Sequence, residues 1–112
     1  MPYTYRPRAM PRRYLEGAPA VVRAQVLDLF KIVPAAPLDF DVVLSAPVTD
    51  LETGEVYGFN GVDFGAHGTQ GQHFYLKKTE LRRYRDANRR KRVAWRDLPE
   101  PTQRAIVAYL EA

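Results

Sequence analysis

Residues 39–59 read Asp39-Phe40-Asp41-Val42-Val43-Leu44-Ser45-Ala46-Pro47-Val48-Thr49-Asp50-Leu51-Glu52-Thr53-Gly54-Glu55-Val56-Tyr57-Gly58-Phe59. Over Asp39–Ala46, Phe40, Val42 and Leu44 fall on one side of an extended chain, and Asp39, Asp41 and Val43 fall on the other. That alternation predicts a strand. Pro47 follows it, where a missing N–H does little harm. Asp50 to Glu55 is rich in turn formers, and Gly54 is free to take a positive φ. Val56–Phe59 then returns as the second arm of a hairpin.

Downstream, residues 60–72 hold Asn60, Gly61, Gly65, Gly68 and Gly71, with His67 among them. Asn60-Gly61 is a strong turn pair, so this stretch reads as a glycine-rich loop. His73–Lys78 resumes as a strand, with Phe74 and Leu76 alternating against Tyr75 and Lys77. Thr79 then caps a helix from Glu80 to about Arg90, with a thin apolar stripe of Leu81, Tyr84 and Ala87. Leu98-Pro99-Glu100-Pro101 announces a last helix from Pro101 to about Glu111. Its buried stripe is Ile106, Tyr109 and Leu110.

Upstream, residues 20–33 suit either element. Val22, Val26, Leu29, Phe30 and Val33 recur at helical spacing, while the branched side chains favour a strand. The reading adopted is a strand, with Asp28 spoiling its apolar face. Residues 1–19 read as an extended arm. Pro2, Pro7, Pro11 and Pro19 interrupt it, and Tyr3, Tyr5, Tyr14, Arg6, Arg8, Arg12 and Arg13 lie between them.

These elements predict an α+β fold, with a small antiparallel sheet of three to four strands and two C-terminal helices. An extended N-terminal arm (1–19) precedes a single α+β domain (20–112). The expected inner face of the sheet is Phe40, Val42, Leu44, Val56, Phe59, Phe74 and Leu76. Trp95, Ile106, Tyr109 and Leu110 are expected to cover it.

Charge is the main functional signal. The formal net charge is +4, distributed unevenly over 112 residues. Lys77 to Arg96 contains ten basic residues opposed by Glu80 and Asp86 alone. Between Ala24 and Phe74, Lys31 faces seven acids: Asp28, Asp39, Asp41, Asp50, Glu52, Glu55 and Asp63. On a helix Arg82, Arg85, Arg89 and Arg92 share one flank, with Arg83 and Arg90 beside it. Like charges at that spacing repel until something negative screens them, and a phosphate backbone is a natural screen. Seven of the eight basic residues from Arg82 to Arg96 are arginine. The planar guanidinium fork clasps phosphates and stacks on bases.

The expected function is therefore a non-enzymatic nucleic-acid-binding or accessory protein, for RNA or DNA. Arg82, Arg83, Arg85, Arg89, Arg90, Lys91 and Arg92 are its expected contacts, with Arg6, Arg8, Arg12 and Arg13 from the arm. Three competing readings stand beside it. The basic stretch is a solvated face, or it pairs with the acidic middle of the same chain or of another subunit, or with an acidic protein partner. Alternatively the protein is a structural or regulatory subunit, or self-associates, through Tyr3, Tyr5, Tyr14 and His67. Lastly, a small enzyme uses the loop around His67.

Other chemistry finds little support. With no cysteine, disulfides, cysteine-ligated zinc and iron–sulfur clusters are excluded, which suits a reducing cytoplasmic setting. The glycine-rich loop lacks the lysine and Ser/Thr of a phosphate loop. Asp63, His67 and His73 make only a weak candidate metal or acid–base set. Ser45 is the only serine and sits in no nucleophile-like context. Asp50, Glu52 and Glu55 lack the ligand pattern of a calcium loop. No cofactor is expected. No apolar run suggests a signal peptide or a membrane span.

Overall fold

The computed structural model describes residues 7–32, 39–65, 67, 68 and 70–112. It is α+β. Strands β1 (Val26–Ile32), β2 (Asp39–Thr49), β3 (Val56–Gly65) and β4 (Gln70–Lys77) pair antiparallel in chain order. Helix α1 (Ala20–Gln25) precedes them, and α2 (Lys78–Asn88) and α3 (Glu100–Glu111) follow. Short 3₁₀ turns occupy Arg12–Leu15, Arg89–Lys91 and Trp95–Asp97.

The hairpin read from residues 39–59 is present, with both arms longer than expected. The first runs on through Pro47 to Thr49. The second continues through Asn60-Gly61 to Gly65, so that pair is mid-strand and not a turn. Packing explains why. Phe74 of β4 lies over Gly61, and a Cβ at Gly61 would stand 2.0 Å from the Phe74 ring. The glycine serves close approach here and not reversal. The reversal occurs near Gly68, which adopts φ +84°.

Residues 20–32 are neither all strand nor all helix. Ala20–Gln25 is helical and Val26–Ile32 is β1. Pro19 stands at the helix N-cap position. Its fixed φ suits entry into a helix. Val33 lies outside the described residues. Helix α2 begins two residues before the expected start. Its N-cap is Lys77, whose N–H donates to the Glu80 carboxylate at 3.1 Å, so Thr79 is not the cap. It ends at Asn88, where the backbone leaves helical geometry and tightens into the 3₁₀ turn.

The sheet buries both faces, which corrects the single inner face expected from the sequence. Leu29, Phe40, Val42, Val62 and Phe64 pack with Val22 of α1, Trp95, Leu98 and Ile106 of α3. Leu27, Phe30, Val43, Val56 and Phe59 pack on the other side with Leu81 of α2. Phe74, Leu76 and Tyr84 lie at the margin of that second cluster. Adjacent strand residues point to opposite faces, so Phe30 and Val43, both 0% exposed, require a second cover, and α2 supplies it. Residues of the expected arm also join the first cluster. Met10 and Ala18 are buried in it, and Tyr14 and Leu15 pack against it.

Two polar ties position the covers. Thr102 Oγ1 donates to the Gly65 carbonyl at 2.9 Å, fixing α3 to the end of β3. Val93 N–H donates to the Leu29 carbonyl at 3.1 Å, so the chain after the Arg89–Lys91 turn runs along the outer edge of β1.

Candidate functional site

Asp28 sits in the middle of β1 and is fully buried. A buried carboxylate is tolerated only when its oxygens are satisfied, and here four donors reach it. Leu29 N–H and Arg92 Nε bind Oδ1 at 3.0 and 2.7 Å. Arg85 Nε and Arg92 Nη2 bind Oδ2 at 2.7 and 2.8 Å. The side chains of Arg85 and Arg92 are only 13% and 12% exposed. The hydrogen bonds of Arg92 to Asp28 raise its pKa further above its already high value. Part of the basic stretch is thus paired with the acidic middle of the same chain.

Elsewhere in the stretch Lys78 is half-buried beside Glu55 and Arg96 meets Glu16, while the remaining basic residues are exposed. Arg82 is 90% exposed, with Asp86 3.9 Å away. Arg83, Arg89, Arg90 and Lys91 are exposed as well. The flank read from the sequence is physically continuous: Arg82, Arg85, Arg89 and Arg92 line a single cleft of about 690 Å³. Its other wall is Arg8, Ala9 and Pro11. Arg12 and Arg13 are exposed on the following turn. The Arg13 guanidinium lies 5.0 Å from the Tyr14 ring centre, and that of Arg92 lies 5.7 Å from it. Tyr14 therefore sits between cations against the core, half-buried. Tyr3, Tyr5 and Arg6 lie outside the described residues.

A second polar group lies beneath α2. Asp41 of β2 and Asp63 of β3 are directly paired across the sheet, which brings their carboxyl groups together on the α2 side. Tyr84 of α2 donates its hydroxyl to Asp41. Its ring meets Phe30 and Phe74 edge-on and tilted, with centroids 5.7 and 5.9 Å apart. Burial pushes the Asp63 carboxyl up to about 7, helped by the hydrogen bond and charge of Asp41. Burial, then the Asp41 contact, raises the Tyr84 phenol well above its ordinary value.

The suggested Asp63, His67 and His73 set does not assemble. Asp63 pairs with Asp41 on the α2 side. Val62 and its partner His73 point to the other face, where His73 Nε2 meets the Tyr109 hydroxyl at 2.8 Å. His67 is exposed in the β3–β4 turn. Among the described residues, no three His, Asp or Glu side chains are placed to share a metal ion. No helix among them is long and apolar enough to cross a membrane.

Sequence reading missed Asp28 as an organising group and the Asp41–Asp63–Tyr84 cluster entirely. Asp28 had left a signal, a lone acid inside an apolar strand. The carboxyl pair had none, because it depends on the register of β2 against β3. Comparisons with known protein families, characterised proteins and solved structures give no match for this chain.

Proposed function

We propose that this protein binds nucleic acid without catalysing a reaction, gripping phosphates in the arginine cleft between Arg8–Pro11 and α2. The observation that carries this reading is the lining itself: Arg8, Arg82, Arg85, Arg89 and Arg92 around one cleft, with Asp86 the only acid among its lining residues. Asp28 holds two of those guanidiniums in fixed orientation, which lowers the ordering cost of gripping an anion. Arg82 and Arg89 remain exposed to add electrostatic attraction. Arg83, Arg90 and Lys91 extend the positive surface beyond the cleft, and Arg12 and Arg13 extend it on the arm side.

The test is binding of labelled single-stranded RNA and duplex DNA across a salt series. Arg82→Ala with Arg89→Ala should weaken binding. The slope of log affinity against log salt should fall by about 2 for duplex DNA, one for each lost phosphate contact. Unchanged affinity for both nucleic acids would refute the assignment. Co-purifying nucleic acid that leaves at high salt would support it.

A second reading, as a subunit of a protein assembly, has one observation in its favour. Strand β4 forms an edge of the sheet, with Tyr75 exposed on it. Edge strands are ready templates for pairing with another chain.

A further inference from the structure

We infer that a single proton shared between Asp41 and Asp63 fastens α2 to the sheet, so that the arginine cleft weakens when the proton leaves. The device rests on geometry. The two aspartates face each other directly on neighbouring strands. Two carboxyl groups facing each other this closely repel when both are ionised, and a proton held between them relieves that repulsion, because a protonated oxygen can donate to the other carboxylate. Burial and the neighbouring Asp41 favour the protonated form of Asp63, while Asp41 also accepts from Tyr84. Tyr84 is adjacent in sequence to Arg85, which reaches Asp28 on β1. Helix α2 is thus pinned at consecutive residues to two strands.

The surrounding charges make the pair sensitive. Asp28 is close enough to raise the Tyr84 phenol, as Asp63 does. Asp28 is itself answered by Arg85 and Arg92, whereas among the described residues Asp41 and Asp63 have each other and the neutral Tyr84. Asp39, two residues from Asp41, lies on the same side of β2. From β4, Phe74 faces this side, while His73 points away toward Tyr109. Loss of the proton therefore places two like charges side by side under α2 with no cation assigned to them. The added negative charge also lowers the potential in the cleft above. Both effects weaken anion binding in the same direction.

Deprotonation falls near neutrality, since Asp63 titrates at about 7. The folded chain keeps this proton between about pH 4 and 7, where the unfolded chain has released it. Stability contributed by the pair is thus greatest at low pH in that window. It declines as pH rises and stays low above the folded value.

This switch rests on the nucleic-acid reading for its effect on binding, but not for its effect on stability. The full chain is therefore measured both ways. Carbon-detected titration of the aspartate carboxyls should show one group titrating near pH 7. Between pH 6 and 8 the melting temperature of the wild type should fall by at least about 4 °C. Oligonucleotide affinity should fall about fivefold. Asp63→Asn keeps a donor toward Asp41 but cannot ionise, so both declines should disappear. His67 and His73 are present in both proteins, and the difference between the two profiles isolates the pair. Should Asp63→Asn fail to fold, Asp41→Asn serves, and the titration near 7 should move toward the ordinary carboxylate range. Every aspartate titrating below about pH 5, or declines that persist in Asp63→Asn, would overturn the switch. A stability decline without oligonucleotide binding at any pH would keep the switch and remove the nucleic-acid reading.

Discussion

The two faces of the sheet are built from different materials. The face under α1 and α3 is apolar, with Val42 and Val62 fully or almost fully buried against Ile106 and Trp95. Its polar ties, Thr102 to Gly65 and His73 to Tyr109, lie at the margins. The face under α2 buries Phe30, Val43 and Phe59, but also holds Asp28, Asp41 and Asp63 with Tyr84, Arg85 and Arg92. One helix layer is held mainly by apolar packing. The other is held by charges whose partners must all be present. This difference separates a layer whose stability should be indifferent to pH from one whose stability should depend on it.

The sharpest way to break the contrast is Asp28→Ala. It leaves Arg85 and Arg92 largely buried without their carboxylate, and the expected loss is about 3–5 kcal/mol. Chemical denaturation measures it. Replacing the trio together, as Asp28→Leu with Arg85→Met and Arg92→Met, should recover most of that loss while weakening oligonucleotide binding. On the opposite face, Ile106→Ala removes a side chain that is 1% exposed and should cost about 3 kcal/mol. That loss should be indifferent to salt and to pH, whereas pH should alter the stability of the α2 face. The smallest of these effects is expected from Gly61→Ala. The added Cβ would collide with the Phe74 ring, costing about 2 kcal/mol. Phe74→Leu in the same chain should return part of it. No recovery would mean that Gly61 is required for its backbone and not for the ring above it.

What could be read from the sequence was whatever local pattern decides. The alternation of Phe40, Val42 and Leu44 gave the strand, and the prolines flanking Glu100 gave the last helix. Helical spacing gave the flank Arg82, Arg85, Arg89 and Arg92, and that flank does line one cleft. The break between Gln25 and Val26 was not legible, because valines on both sides satisfy either periodicity. Asn60-Gly61 misled for a related reason. A glycine needed for a positive φ and one needed for an overlying ring look identical until the neighbouring strand is known. The two-sided core followed from the same gap. Phe30 and Val43 declare a second buried face only once α2 is known to lie across it. Asp41 and Asp63 stand 22 residues apart and meet through strand register alone.

The carboxylate in the first strand has a consequence for how the protein is made. Its two guanidinium partners follow 57 and 64 residues later in the chain. Contacts that far apart close slowly, after the intervening sheet has ordered. While a chain is still emerging from the ribosome, its basic stretch is an indiscriminate polycation with no cleft. Only the finished fold withdraws two arginines from water and fixes them on Asp28, so the cleft is complete only once strand and helix have met.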